Sequence, residues 1–268
     1  MIVSILRLSG FLGVLLSAGA ALASSSEWFE TDGGRIRLVS TGLPDASGTL
    51  RGVLDVQLDP GWKTYWRDPG EAGVPPTIDI KESLNIRSAT LEFPAPRRHD
   101  EGDFKWAGYD HPVALPITFT LDVPGKPAII DAAIFLGLCE TICIPLQATL
   151  ALDPGSDPDN PDDAKTVSEA FAALPGPAQP GFGVSVVSKP GEKPLVVEAN
   201  FPGDSASADF FIASGDGYTF STPIRSQRDG KTFFSMDVDL PAPLRTGPGL
   251  HYTLVTDSGA VSGLLPYF

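Results

Sequence analysis

The chain has 268 residues, with 19 Lys and Arg against 33 Asp and Glu, and a formal net charge of −14. A nucleic acid or an anionic lipid surface rewards lysine and arginine, so neither is expected as a partner. Twenty-eight glycines and 26 prolines spread along the chain exclude a mainly helical protein and point to an all-β sandwich or barrel.

Met1 to Ser9 carry one positive charge, Arg7, and Leu8 to Leu22 form an apolar run that ends in Ala21-Leu22-Ala23. This reads as a secretory signal peptide over 1–23, cut after Ala23, and the run is short for a membrane-spanning helix. An uncleaved signal anchor is the alternative. No later stretch approaches twenty apolar residues, so no stable membrane insertion is expected. Removal of the leader leaves 245 residues, enough for one large or two ordinary domains, in a compartment where disulfides persist. The bacterial periplasm fits that reading.

Alternation of apolar and polar residues predicts strands at Arg35 to Val39, Thr49 to Leu58, Arg87 to Phe93 and Val113 to Leu121. Ala128 to Leu138 is more uniformly apolar and should be central in its sheet, and alternation resumes from Ile144 to Leu150. Pro145 cannot donate to a ladder, which places it at a strand start or an edge. Trp62, Tyr65 and Trp66, then Phe104, Trp106 and Tyr109, form two aromatic groups. They can pack a sandwich core or present exposed rings to a carbohydrate.

Cys139 and Cys143 are the only cysteines, with three residues between them in Leu138-Cys139-Glu140-Thr141-Ile142-Cys143-Ile144-Pro145. A disulfide between them would close a five-residue ring, worth about 2 kcal/mol by chain entropy against roughly 5 for a hundred-residue loop. As a staple the pair is badly placed; as a reactive dithiol it makes sense, since short-range pairs are more easily reduced. The cysteines can sit at a hairpin turn or on one face of a helical turn, and Ile142, Ile144 and Pro145 favour the hairpin.

Residues 153–163 hold five acids and no apolar side chain except proline, which reads as a linker or exposed loop. The prolines and the missing loop glycine and terminal glutamate do not match a calcium-binding EF-hand. Ala164 to Leu174 is the one convincing helix, with Val167, Ala170, Phe171 and Leu174 on one face and Asp162 or Asp163 as cap. Strand rhythm returns at Leu195 to Phe201, Asp209 to Ile212, Lys231 to Leu240 and His251 to Val255. The expected division is therefore a first β-sandwich over 24–152, a linker with a short helix over 153–180, and a second, smaller β-sandwich over 181–268.

No serine-hydrolase elbow, phosphate loop or dinucleotide fingerprint occurs. His99, His111 and His251 stand singly, so no metal site and no cofactor is expected. Copper held through sulfur would have little beside the two thiols except Met236. The thiols remain as the strong nucleophiles.

Gly61-Trp62-Lys63-Thr64-Tyr65-Trp66-Arg67-Asp68-Pro69-Gly70-Glu71-Ala72-Gly73-Val74-Pro75-Pro76 resembles the YW-x-x-PG-x-x-G-x-P stretch of the thiol:disulfide interchange protein DsbD family, its ScsB branch above all. Gly108-Tyr109, Leu115-Pro116 and the segment ending Cys143-Ile144-Pro145 follow in the family's order, so the resemblance covers roughly residues 30–152. It implies an immunoglobulin-like sandwich whose cysteine pair passes electrons to thioredoxin-fold periplasmic proteins, among them disulfide isomerases and cytochrome c maturation factors. It makes Cys139 and Cys143 the catalytic residues of a thiol:disulfide oxidoreductase, with Cys143 forming the bond to the partner and Cys139 resolving it. In the best-studied branch of the family the cysteines are further apart and a cap loop with a phenylalanine covers them. Here that region is Asp100 to Lys105, with a glycine at the cap position and Phe104 as the nearest cap residue; Tyr109 is a second expected contact. Lys105 or Arg97 could favour a thiolate and Glu140 would oppose it. The 268 residues contain neither a membrane domain nor a thioredoxin domain, so a separate membrane electron donor of the DsbD type is expected. The alternative is a non-catalytic sandwich that binds a partner and keeps a static disulfide.

Overall fold

The computed structural model describes residues 24–266, except 71–72, 101, 103–104, 190–191, 214–217 and 241–248. The expected leader over 1–23 and the expected cap residue Phe104 lie outside the described residues.

The chain is all-β apart from one α-helix and a single 3-10 turn among the described residues. The first half contains β1 (Phe29–Thr31), β2 (Gly34–Ser40), β3 (Thr49–Leu58), β4 (Thr64–Tyr65), β5 (Thr77–Asp79) and β6 (Ile86–Leu91). It continues with β7 (Arg97–Asp100), β8 (Lys105–Tyr109), β9 (Val113–Leu121), β10 (Ile130–Cys139) and β11 (Cys143–Leu152). One sheet has the order β1-β2-β3-β9-β6, a second β11-β10-β5, and a small third β4-β8-β7. The first two close on a common core of alternate residues: Ile36 and Leu38, Leu50 and Leu54, Leu115 and Ile117, Ile130 and Leu136, Leu146 and Leu150. Period-two patterning predicts the all-β class, and the immunoglobulin-like sandwich is the one that the family resemblance implies. As its uniform apolarity implied, β10 is the middle strand of its sheet; β11 is an edge, where Pro145 opposite Gly137 breaks no ladder on its open side.

The helix α1 (Pro161–Ala172) begins three residues before the expected start, and its cap is Asn160 rather than Asp162 or Asp163. Asn160 Oδ1 accepts from the backbone N–H of Asp162 and Asp163, at 3.0 and 3.1 Å. Pro161 suits the first helical position because its missing N–H would have no partner there. Val167 and Ala170 pack on Val39 and Val53, the outer face of the first large sheet. The acidic stretch before the helix also touches the sandwich: a Cβ on Gly42, whose φ is +90°, would lie 2.1 Å from the carbonyl oxygen of Pro158.

The described residues of the second half form a two-stranded sheet, Thr219–Phe220 with Val238–Asp239, and two four-stranded ones. One has the order Gly176–Pro177, Gly259–Leu265, Leu250–Thr256, Asp209–Ile212; the other is Gly183–Val186, Leu195–Asn200, Lys231–Met236, Ile224–Arg228. Leu195, Val197, Phe210, Phe234, Tyr252 and Leu254 are in their common core. The strand Asp209–Ile212 serves both halves, because successive side chains point to opposite faces. Phe210 and Ile212 enter the second core, whereas Phe211 and Ala213 join the first. Phe211 meets Trp66 edge-on at 5.8 Å. Beside it the Arg98 guanidinium holds the Asp209 carboxylate with both oxygens engaged at 3.1–3.2 Å and donates to the Phe210 carbonyl at 2.8 Å.

The Asp209→Ala variant removes the charged half of this clamp and leaves the guanidinium partly buried. It is expected to lose about 1–3 kcal/mol of stability, read from denaturant unfolding. A loss below about 0.5 kcal/mol would mean that water replaces the carboxylate without penalty.

Candidate active site

The cysteines stand where β10 turns into β11. The two strands pair in register from Ile130 opposite Leu152 to Cys139 opposite Cys143, so Glu140, Thr141 and Ile142 form the tip. Of the two placements open in the sequence, the structure has the hairpin. Cys139 and Cys143 are joined by a disulfide. Their surroundings differ sharply: Cys139 is 1 % exposed, whereas Cys143 belongs to the exposed face of the edge strand. Ile142, beside Cys143, is 77 % exposed.

The wall behind the sulfurs comes from the tryptophan-tyrosine stretch. Gly61, with φ +88°, turns the chain so that Lys63 meets Cys139, and their backbones exchange two hydrogen bonds of 2.8 and 2.9 Å. The next two residues pair with β8, Thr64 opposite Tyr109 and Tyr65 opposite Gly108. Thr64 is fully buried, and its hydroxyl donates to the Gly137 carbonyl at 2.9 Å. Tyr65 thereby points at the disulfide. Its Oη donates to Cys139 Sγ at 2.9 Å and stands 3.3 Å from Cys143 Sγ.

Glycines make room for this ring. A Cβ at Gly137 would lie 3.2 Å from Tyr65 Cε2, one at Gly73 would lie 2.7 Å from Tyr65 Cδ1, and one at Gly108 would lie 2.3 Å from the Thr64 carbonyl oxygen. Trp106 closes the other side, edge-on to Tyr65 at 5.8 Å. The Trp106 ring is stacked on His99 at 3.8 Å and carries the Lys63 ammonium 4.8 Å from its centroid. Tyr65, Trp106 and Cys139 form a small buried cluster of their own, apart from the main core.

Residues 40–154 match the family described as "Thiol:disulfide interchange protein DsbD, N-terminal". This segment is a DsbD N-terminal-like domain. The fold of the chain is similar to the crystal structure of the N-terminal periplasmic domain of ScsB from Proteus mirabilis. The TM-score is 0.73 at 22% identity, over 92% of this chain and all of that one. No curated protein sequence matches the chain.

Within the DsbD N-terminal-like domain the expected site residues separate. Cys139 and Cys143 are together. Tyr109, expected as a partner contact, is a core residue with 1 % exposure, and its Oη donates to the Pro94 carbonyl at 2.8 Å. Burial pushes its phenol far above the ordinary tyrosine range, against a smaller opposing pull from the Arg67 guanidinium, so Tyr109 stays neutral. Such a residue positions Thr64 across the sheet and offers a partner no surface. Of the two cations expected to favour a thiolate, Lys105 is engaged with Asp100 at 3.5 Å. Arg97 pairs through its backbone with Gly108 on the far strand of the small sheet. The cation tied to the cysteines through the backbone is Lys63; neither it nor Tyr65 carries a local sequence signal for this role, since the aromatics read as core or carbohydrate platform.

Replacing Gly108 by alanine tests the geometry. The new methyl meets backbone that cannot move aside, so the variant should lose about 1–3 kcal/mol of stability by denaturant unfolding. An unchanged midpoint would show that β4 can shift away from β8 at no cost.

Proposed function

We propose that the protein is a periplasmic thiol–disulfide exchange module, exported through the leader over 1–23, that passes electrons through Cys139 and Cys143 to thioredoxin-fold partners. The observation that carries this reading is the asymmetry of the pair: one cysteine exposed at an edge, the other buried against Tyr65. A static bond has no need of an exposed sulfur, whereas a carrier needs one within reach of its partner. The family match over 40–154 supports the same reading.

In the reduced state the Cys143 thiolate attacks one sulfur of the partner disulfide. A mixed disulfide forms and the partner's other sulfur leaves as a thiolate. The Cys139 thiolate then attacks Cys143 Sγ, closes the intramolecular disulfide and releases the partner as a dithiol. Two electrons have moved to the partner. A membrane protein of the DsbD type would return them. The Tyr65 hydroxyl, within hydrogen-bond reach of both sulfurs, can donate to whichever one carries the negative charge. Disulfide isomerases, cytochrome c maturation factors and a copper-tolerance pathway are the candidate recipients.

The test follows from the order of steps. Cys139→Ser leaves Cys143 without its resolving thiol and should accumulate a mixed disulfide with a thioredoxin-fold protein on non-reducing gels of periplasmic extract. Cys143→Ser should accumulate far less. Equal trapping by both variants would reverse or erase the role assignment. No adduct from either variant, in cells that contain the acceptor, would favour a binding module with a static disulfide.

A carrier must also survive its own reduction. The hairpin is also held by strand pairing along the whole ladder from Ile130 to Cys139. Reductant is therefore expected to cost about 2 kcal/mol and to leave one cooperative thermal transition. Loss of the folded signal on reduction would make the bond structural.

A further inference from the structure

At the other end of the sandwich, the first described residue is held in place by polar contacts in the interior. Ser24 is 0 % exposed and its hydroxyl donates to Asp163 Oδ2 at 2.6 Å. Its carbonyl accepts from the Ser40 backbone at 2.8 Å and from the Ser40 hydroxyl at 3.1 Å, which continues the pairing of Ser25 with Val39. Asp163 is 5 % exposed, at the third residue of α1.

A carboxylate in that position needs more than a hydroxyl. Buried charges are paired, and removing one from water costs several kcal/mol unless an opposite charge or a full set of donors replaces the solvent. The ion pairs found among the described residues involve other acids: Asp55 with Arg37, Asp79 with Lys81, Asp122 with Arg87, Asp209 with Arg98. None reaches Asp163. The amino end of α1 offers partial positive charge, which offsets only part of the penalty.

We infer that cleavage between Ala23 and Ser24 supplies the missing cation: the new α-ammonium of Ser24 pairs with Asp163 and locks α1 onto the edge of β2. The inference rests on the leader assigned under the proposed function and goes beyond it. Hydrolysis of the Ala23–Ser24 bond consumes one water. The Ala23 carboxylate departs with the leader, and the amine left on Ser24 takes up a proton, since an α-amino group near pKa 8 is mostly charged at neutral pH. That nitrogen is three covalent bonds from the hydroxyl oxygen that donates to Asp163 Oδ2 at 2.6 Å, which keeps it close to the carboxylate. In the precursor the same nitrogen is an uncharged amide. The pair can exist only in the processed chain, and it ties residues 139 positions apart. A precursor that lacks it stays less stable and easier to keep unfolded for export, while the processed chain closes behind its own cleavage.

The test compares a chain beginning at Ser24 with one beginning at Ala23, each with Asp163 and with Asp163→Asn. With Asp163 present, the extra residue displaces the charge and should lower the melting temperature by about 3–8 °C. In Asp163→Asn the two chains should melt within about 1 °C of each other. Equal effects of the extension in both backgrounds, or no effect in either, would overturn the pair. Should Asp163→Asn fail to fold, acylation of the α-amine decides: at pH 7 it should run at least about tenfold slower in the Ser24 chain than in the Ala23 chain, and equal rates would overturn the pair. The mass of the amino terminus recovered from periplasm separately decides the leader. A start other than Ser24 would overturn cleavage after Ala23, whatever the melting data show.

Discussion

The backbones of Lys63 and Cys139 exchange two hydrogen bonds, and the arrangement at the cysteine end depends on that exchange. It joins a strand of only two residues, β4, to the tip of the longest hairpin, and so brings the β4-β8-β7 sheet up behind the sulfurs. A two-residue strand has little cohesion of its own. It is held because its neighbours on both sides are already fixed: β8 by the aromatic core, β10 by its central place between β11 and β5. The direction of the Tyr65 side chain follows from alternation along β4. With Thr64 turned inward to the Gly137 carbonyl, Tyr65 must face the other way, toward the disulfide.

The two halves depend on each other in a similar manner. Asp209–Ile212 is one strand with two buried faces, which removes the usual distinction between a core face and a solvent face. Its sequence, Asp209-Phe210-Phe211-Ile212, shows this as a loss of alternation: three apolar residues in a row signal burial on both sides. The acidic stretch at 153–163 reads in the sequence as a linker or exposed loop leading into a short helix. Its chemistry is that of a connection, but Asn160, Pro161 and Asp163 also start a helix and seat it on the first sandwich.

Long strands were legible in the sequence because ten residues carry several full periods. Thr49–Leu58 and Val113–Leu121 have the expected bounds, and the cysteine hairpin is as its isoleucines and proline implied. Strands of two to five residues, β4, β5, β7 and β8, carry too little repetition to read. Their pairing is decided by tertiary contacts. The helix start shifted because a proline at the first position and an asparagine before it outweigh an aspartate cap. The site was half legible. Two cysteines announce themselves by type and spacing. Tyr65 does not, because its contact with sulfur depends on Gly73, Gly108 and Gly137, which are scattered over 64 residues and meet only in the folded chain. A buried polar contact between Ser24 and Asp163 is equally invisible to any local pattern.

The placement of the disulfide across two residues that strand register already sets opposite one another has a mechanical consequence. Cys139 and Cys143 are already opposite one another through strand register, so opening or closing the bond should ask little of the rest of the backbone. Oxidised and reduced forms should therefore have nearly the same silhouette. A partner that must recognise only one of them cannot do so by shape at a distance. It has to sample the two sulfurs and the Tyr65 hydroxyl directly, at contact range. Under the proposed exchange function, right and wrong encounters then differ in local chemistry at the sulfurs and in how fast they dissociate.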